Sequence, residues 1–300
     1  MEQNKIKPND VILMMLQALN DDKKEKVYEI AENYYKTTST NGNFHYRAKR
    51  LISTRPVKML LSNLDNHIKR LIEQRNYSDE CVFLDDQLTS FINSLIHEWE
   101  HKEVFRSHNL DIRRKILLHG PTGNGKTTIA RHIAKLANLP FVEVNSDMII
   151  DSHLGSTGQN IKKLFDSIQE SCVLFWDEVD SIGKARGISK NSADFENDRM
   201  VNSILINIEK LEKDVVFIGA TNRMDVMDPA FIRRFDVKHE ICEPTLFNKR
   251  NFALMLSDYY KVPLDIPDIS RFKSLSEIKT YIIGEARRHV LEVIEANNKN

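Results

Sequence analysis

Residues 120–128 read Gly-Pro-Thr-Gly-Asn-Gly-Lys-Thr-Thr and hold Gly120, Gly125, Lys126 and Thr127 at the fixed positions of G-x-x-x-x-G-K-[ST]. Glycines let a backbone curl until its N–H groups converge on an anion. A helix starting at the lysine adds the positive end of its dipole. Lys126 is placed to reach the outer phosphates of a nucleotide, and the Thr127 hydroxyl to ligate Mg2+. Pro121, Thr122, Gly123, Asn124 and Thr128 complete the phosphate-binding loop. From average residue usage, such a match arises by chance in roughly one chain in a hundred of this length.

Moving a phosphoryl group also takes a carboxylate to hold the metal and a group to position water. The run "CVLFWDEVD" ends an apolar strand in Asp177 and Glu178. Asp177 is read as the metal holder, acting through the ion's water shell, and Glu178 as the group that orients and polarises the attacking water. An acidic pair after a strand also serves as a helix cap. Beside the phosphate loop, the catalytic reading outweighs that one. A second strand, "VVFIGATN", ends in Asn222, whose amide can hold the water from its other side. Asn in that place is also a common turn former.

These groups need a frame that brings three strand ends together. From Lys115 onward, short apolar runs ("KILLH", "FVEV", "CVLFW", "VVFIGA", "VKHEIC") alternate with helical periodicity. Short, β-branched, almost wholly apolar strands suit a parallel sheet buried on both faces. The fold class expected is therefore α/β, a P-loop NTPase core built on a doubly wound parallel sheet. The first 75 residues read as helices throughout. One stripe uses Val11, Met14, Met15 and Leu19; a second uses Val27, Ile30, Ala31, Tyr34 and Tyr35; a third runs from Val57 to Leu71. A further helix, about Gln87 to Lys102, stacks Leu88, Phe91, Leu95 and Trp99. After Pro244 the chain is helical again. The domains expected are an N-terminal helical domain over 1–78, the α/β domain over 79–244 and a helical lid over 245–300.

With 41% hydrophobic residues in 300, the chain can bury a sizeable core. No apolar run approaches the ~20 residues of a membrane helix, and the first residues lack a signal-peptide layout. Cys81, Cys172 and Cys242 are widely spaced and read as reduced core thiols of a cytoplasmic protein. The formal net charge is zero, which gives no whole-molecule attraction to nucleic acid. Residues 36–75 are the exception, with nine Lys/Arg against Asp65 and Glu73, or 9 − 2 = +7. A solvated helix face explains that excess, and so does a contact surface for an acidic partner.

Taken in order, Gly120–Thr127, Asp177–Glu178, Asn222 and "DPAFIRRFD" (Asp228–Asp236) resemble the AAA+ ATPases, in their AAA branch of protein-remodelling machines. The resemblance covers roughly Val82 to the C-terminus. It implies ATP and Mg2+ as ligands, a Walker A loop at Gly120–Thr128, Walker B at Asp177–Glu178 and sensor 1 at Asn222. Arg233 and Arg234 fall on the arginine-finger positions, where a guanidinium from a neighbouring subunit offsets transition-state charge. They are adjacent here, whereas many relatives separate them by two residues, so the resemblance leaves open which one touches phosphate. Arg287 or Arg288 is a candidate sensor-2 arginine, a residue that the AAA branch generally lacks.

The resemblance implies a homo-hexamer that works on a protein substrate through a central pore. His153-Leu154-Gly155 then falls on the pore-loop positions, with His153 where an aromatic usually stands. A long polar loop after Gly183 faces the pore or the next subunit, and Arg199 resembles an intersubunit contact. Stand-alone bacterial AAA proteins of this build resemble some encoded beside a subtilisin-like protease, so a partner protease is an expectation by analogy. Neither a catalytic Ser/His/Asp pattern nor an HExxH zinc site is expected in the chain, so the residues themselves encode no protease. Competing readings are a DNA-directed AAA+ ATPase (initiator or helicase loader), a nucleotide-dependent regulatory switch and a P-loop kinase. Asn222 and the arginines disfavour the kinase. The even charge disfavours DNA, while the basic N-terminal segment keeps it open.

Overall fold

A computed structural model of the chain describes residues 8–20, 23–37, 71–74, 81–146, 157–168, 171–181, 201, 203–211, 214–262 and 268–298. Its centre is a six-stranded sheet: β1 (Ile72–Gln74), β2 (Lys115–His119), β3 (Phe141–Val144), β4 (Val173–Trp176), β5 (Val216–Thr221) and β6 (Val237–Glu240). The spatial order is β1-β3-β4-β5-β2-β6. Every pairing is parallel except β1 with β3, which is antiparallel.

Alternate residues of a strand face opposite sides of its sheet, and here both sides are covered. Ile116, Leu118, Phe141, Val173, Phe175, Ile218 and Ala220 meet two helices, α3 (Asp86–Glu100) and α5 (Lys126–Ala137). Leu117, Val142, Leu174, Trp176 and Phe217 meet Leu71, helix α6 (Thr157–Ser167) and the helical stretch 203–210. Alternation of apolar with polar residues is unnecessary when neither face is wet, which is why the centre of "KILLH" and all of "VLFW" are apolar without a break. A short α4 (Lys102–Ser107) follows α3, and α7 (Pro229–Ile232) precedes β6.

The C-terminal part pairs α8 (Leu246–Tyr260) with α9 (Leu275–Asn298) around Phe252, Ala253, Leu256, Ile278 and Ile282. At the other end, α1 (Pro8–Asn20) pairs with α2 (Lys24–Thr37) around Val11 and Tyr34. The α2 stripe buries Val27, Ala31 and Tyr34 as read from sequence. In α1 the buried positions are Val11 and Ala18, while Met14 and Leu19 are about half exposed.

Two expectations are corrected. Residues 72–74 are a strand, not helix: Ile72 pairs with Val144 and Gln74 with Val142 at the sheet edge. The sheet therefore begins inside the segment assigned to the N-terminal helical domain. The three cysteines are free, but only Cys172 is a core thiol; Cys81 is half-buried and Cys242 exposed. No helix among the described residues is long and apolar enough to cross a membrane.

Candidate functional site

In the sheet, β5 lies between β2 and β4. The loop after β2, the carboxylates after β4 and Asn222 after β5 thus leave three adjacent strand ends. Ligands of open α/β sheets bind at such carboxyl ends. The cleft there has a volume of about 330 Å3 and is lined by Thr122–Ile129, Asp177, Glu178 and Asn222, with further walls from Cys81–Phe83 and from Phe252, Leu275, Ser276 and Lys279.

The loop takes its shape from glycines in conformations that L-residues rarely adopt. Gly120 has φ +139°, and a Cβ there would stand 2.1 Å from the Ile241 carbonyl oxygen. Gly125, at φ +90°, caps α5 with open space where its Cβ would be, so its backbone is bare toward the cleft. Gly120 and Pro121 do not line the cleft. Their carbonyls accept hydrogen bonds from the Lys126 ammonium at 2.8 and 3.0 Å, holding it over the loop. Burial pulls the Lys126 pKa down from its ordinary value, against the opposing pull of Asp177, Asp180 and Glu178. Asn124 is buried; its amide accepts from the Leu275 N–H at 3.4 Å and reaches the Cys242 carbonyl at 3.5 Å. With the Ser276 N–H donating to the Gly123 carbonyl at 3.0 Å, the start of α9 is bonded directly to the phosphate loop.

The Thr127 hydroxyl donates to Asp177 Oδ2 at 2.7 Å. A hydroxyl and a carboxylate oxygen so close form the hard-oxygen donor pair that suits Mg2+ with its waters, so the residues fit that ion. Asp177 is steadied from behind: buried Trp176 donates through Nε1 to Ser146 Oγ at 3.0 Å, and that hydroxyl donates to the Asp177 carbonyl at 3.3 Å. Glu178 is exposed at the cleft with φ +51°, and its N–H is held by Asp177 Oδ1 at 3.0 Å. A left-handed non-glycine residue costs about 1–3 kcal/mol and marks a place where side-chain direction outweighs backbone comfort. Asn222 Nδ2 donates to Thr122 Oγ1 at 2.9 Å across the cleft mouth. Behind it, Thr221 donates to Asp180 at 2.6 Å and accepts from the Arg223 N–H at 2.9 Å, joining the ends of β4 and β5.

Arg233 and Arg234 lie outside the cleft, at the end of α7. The helix is capped by Asp228, which accepts from the Ala230 N–H, and starts with Pro229. Arg234 pairs with Glu209 at 2.5 Å; Arg233 is exposed, and its guanidinium makes no hydrogen bond or ion pair with any described residue. The carboxylate of Asp236 serves the N–H groups of Arg114 and Lys115 and the Lys115 ammonium. Arg287 and Arg288 are exposed and do not line the cleft, and Arg288 pairs with Glu285. Among the described residues of the C-terminal helices, the cation that lines the cleft is Lys279. The stretch His153-Leu154-Gly155, the loop after Gly183 and Arg199 lie outside the described residues.

Sequence reasoning missed the walls contributed by Cys81–Phe83, Phe252, Leu275, Ser276 and Lys279, which carry no local motif. It also passed over residues 97–101, His-Glu-Trp-Glu-His, which do have the HExxH spacing that was not expected in this chain.

Residues 116–243 match the model of a family described as "ATPase family associated with various cellular activities (AAA)". The chain is 36% identical over 165 residues to peroxisomal ATPase PEX6 of Arabidopsis thaliana, an overlap of 53% of this chain and 17% of that protein. It is 32% identical over 239 residues to a probable inactive ATP-dependent zinc metalloprotease, FTSHI 2, chloroplastic, from the same plant; that overlap is 76% of this chain and 27% of the relative. The chain spans less than a third of the length of either relative.

Proposed function

The chain carries an AAA-family ATPase domain over residues 116–243, and on that premise we propose that it hydrolyses ATP and uses the energy to remodel a protein substrate. The observation that carries this reading is the convergence, in one cleft, of the phosphate loop, Asp177, Glu178 and Asn222. Lys126 and the bare loop N–H groups hold the phosphates. Thr127 and Asp177 hold Mg2+, which supplies charge neutralisation on the phosphate oxygens when bound. Glu178 takes the proton of the attacking water, and Asn222 holds that water in line. Both carboxylates of the Walker B pair are present in this chain, which supports activity although one relative is named as inactive.

The lid senses the nucleotide in this reading. Ser276 and Leu275 bond to the loop through Gly123 and Asn124, and Lys279 brings positive charge where Arg287 and Arg288 do not reach. Arg233 is the arginine finger: its guanidinium is unpaired among described residues and lies outside its own cleft, as a group serving a neighbour's ATP must. Arg234, tied to Glu209, positions the short α7 that carries it. A ring of subunits, of which the family resemblance implies six, follows from a finger used in trans. The pore loop at His153-Leu154-Gly155 and a partner protease rest on that resemblance alone.

The test is phosphate release by the purified chain with ATP and Mg2+, followed by affinity capture with Glu178→Gln. ATP-dependent retention of a protein, absent with Lys126→Ala, is the expected result. Absence of Mg2+-dependent phosphate release defeats the hydrolysis reading. Retention of DNA in place of protein, lost at high salt, replaces the substrate class with a nucleic acid.

A further inference from the structure

On a helix, the HExxH spacing sets the two histidines one turn apart on one face. Helix α3 ends at Glu100 and His101 is its cap residue. The ligating atoms of His97, Glu100 and His101 all lie within 4.8 Å of one another, and all three residues are exposed. In a zinc tetrahedron with bonds of ~2.0–2.1 Å the ligand atoms stand ~3.3–3.5 Å apart. Side-chain rotation at the surface covers that difference.

Two further observations point to a cation. His101 Nδ1 lies 2.9 Å from the His97 carbonyl oxygen. A carbonyl only accepts, so Nδ1 carries the hydrogen, and in the neutral ring Nε2 is the nitrogen left to ligate. A metal-bound histidine is oriented in this way by its outer partner. The cluster also lies at the C-terminal end of a 15-residue helix, where the dipole is negative and favours positive charge.

The glutamate of the motif is turned to other work. Glu98 accepts from Arg113 Nε at 2.7 Å and from the Arg113 N–H at 3.1 Å, with a further contact from Nη2. Neighbouring Trp99 donates to the Arg113 carbonyl at 2.7 Å. Glu98 is thus a strut between α3 and the segment entering β2, engaged by Arg113 and not left free as a general base for the cluster. The spacing that would make a peptidase is divided here between a strut and a ligand set.

We propose that His97, Glu100 and His101 form a surface site for a divalent cation of the zinc class, with water completing its coordination. Two imidazole nitrogens and one carboxylate select Zn2+ and its neighbours over Mg2+ or Ca2+. The cation bridges the joint between α3 and α4, since His101 caps both helices. Helix α4 is itself tethered by Lys102 to Asp214, ahead of β5. Binding therefore stiffens the support ahead of β2 and β5, at the opposite ends of these strands from the cleft.

The experiment uses the full chain without a histidine tag, chelator-treated, and titrated calorimetrically with ZnCl2 in the absence of nucleotide. Co2+ in place of Zn2+ reports coordination through its visible spectrum. One Zn2+ per chain is expected, with a rise in the thermal unfolding midpoint. Single His97→Ala and His101→Ala changes are expected to weaken binding by at least ~10-fold, the smallest effect seen for losing even an outer partner. Glu98→Gln is expected to leave the stoichiometry unchanged. Equal zinc binding by the His97→Ala/His101→Ala double variant would place the metal elsewhere and overturn the proposal. So would the absence of binding by the unaltered chain, or a loss in Glu98→Gln as large as in His97→Ala. None of these outcomes depends on ATP hydrolysis.

Discussion

The Thr127 hydroxyl lies 2.7 Å from the Asp177 carboxylate, joining the first turn of α5 to the end of β4 across the intervening strand tip. Both oxygens are hard donors, so Thr127 and Asp177 would hold a Mg2+ ion, directly or through its waters, and the ion would supply charge neutralisation beside phosphate. Thr127→Val keeps the shape of the side chain and removes the donor oxygen. It is expected to weaken the Mg2+ dependence of ATP hydrolysis while leaving the fold intact. Phosphate release measured across a Mg2+ titration checks this: an unchanged half-saturation point rejects Thr127 as a metal ligand.

Glu178 combines exposure at the cleft with φ +51° and a backbone held by its neighbour's carboxylate. Glu178→Gln preserves volume and polarity and removes the base, so the loss falls on the chemical step. Nucleotide affinity is expected to stay within a few-fold, and hydrolysis to fall by roughly 10²–10⁴, the range for a positioned general base. Single-turnover phosphate release beside a nucleotide-binding titration separates the two. Hydrolysis near the unaltered rate removes Glu178 from its role.

The parts of this molecule legible in the sequence are those whose physics is local. A phosphate loop needs glycine at left-handed positions and a lysine at the helix start, and both are visible in nine residues. Strands β2 to β5 are legible because burial on both faces leaves apolar runs, whereas edge strand β6 alternates half-buried with exposed residues. Strand β1 is not: Ile72-Glu73-Gln74 continues a helical stripe, and it becomes a strand only because β3 offers an open edge. Lys279, Ser276 and Phe252 reach the cleft through the packing of the lid, which no spacing records. Glu209, 25 residues away in sequence, pairs with Arg234 and not with the adjacent Arg233. The HExxH spacing was legible, but only the side-chain directions show Glu98 to be a strut.

Arg233 and Arg234 are expected to behave differently although they are neighbours. Arg233→Ala removes the free guanidinium and is expected to lower hydrolysis by roughly 10³–10⁵, the worth of an arginine finger. Arg234→Ala breaks an exposed ion pair with Glu209, whose direct value is about 0–1 kcal/mol. Its effect is expected to be smaller and to be reproduced by Glu209→Ala. Mixing Lys126→Ala with Arg233→Ala subunits is expected to restore part of the activity, since some interfaces then pair an intact loop with an intact finger. Absence of recovery rejects a finger acting in trans, and an Arg234→Ala loss matching Arg233→Ala rejects the assignment between them.

Three half-buried histidines are expected to weaken the fold in acid. His119 ends β2, His239 lies in β6 with its ring stacked on Phe91 at 4.0 Å, and His132 lies in α5. Burial pushes the pKa of each below its ordinary value. Around them, Glu240 and Asp85 pull the other way for His119 and His239 respectively, while Lys126 and Lys135 add to the lowering at His119 and His132. A histidine with a depressed folded pKa contributes stability that is fully present above the unfolded value of ~6.5 and is lost as pH falls through the folded value. The thermal midpoint is therefore expected to drop between pH 7 and pH 5, beyond any change shared with the carboxylates. His239→Phe keeps a ring against Phe91 and removes the proton site. It is expected to hold the midpoint near pH 7.5 and to shrink the fall toward pH 5. Thermal unfolding of both proteins across that range decides it: parallel pH profiles show that the His239 imidazole is not among the groups responsible.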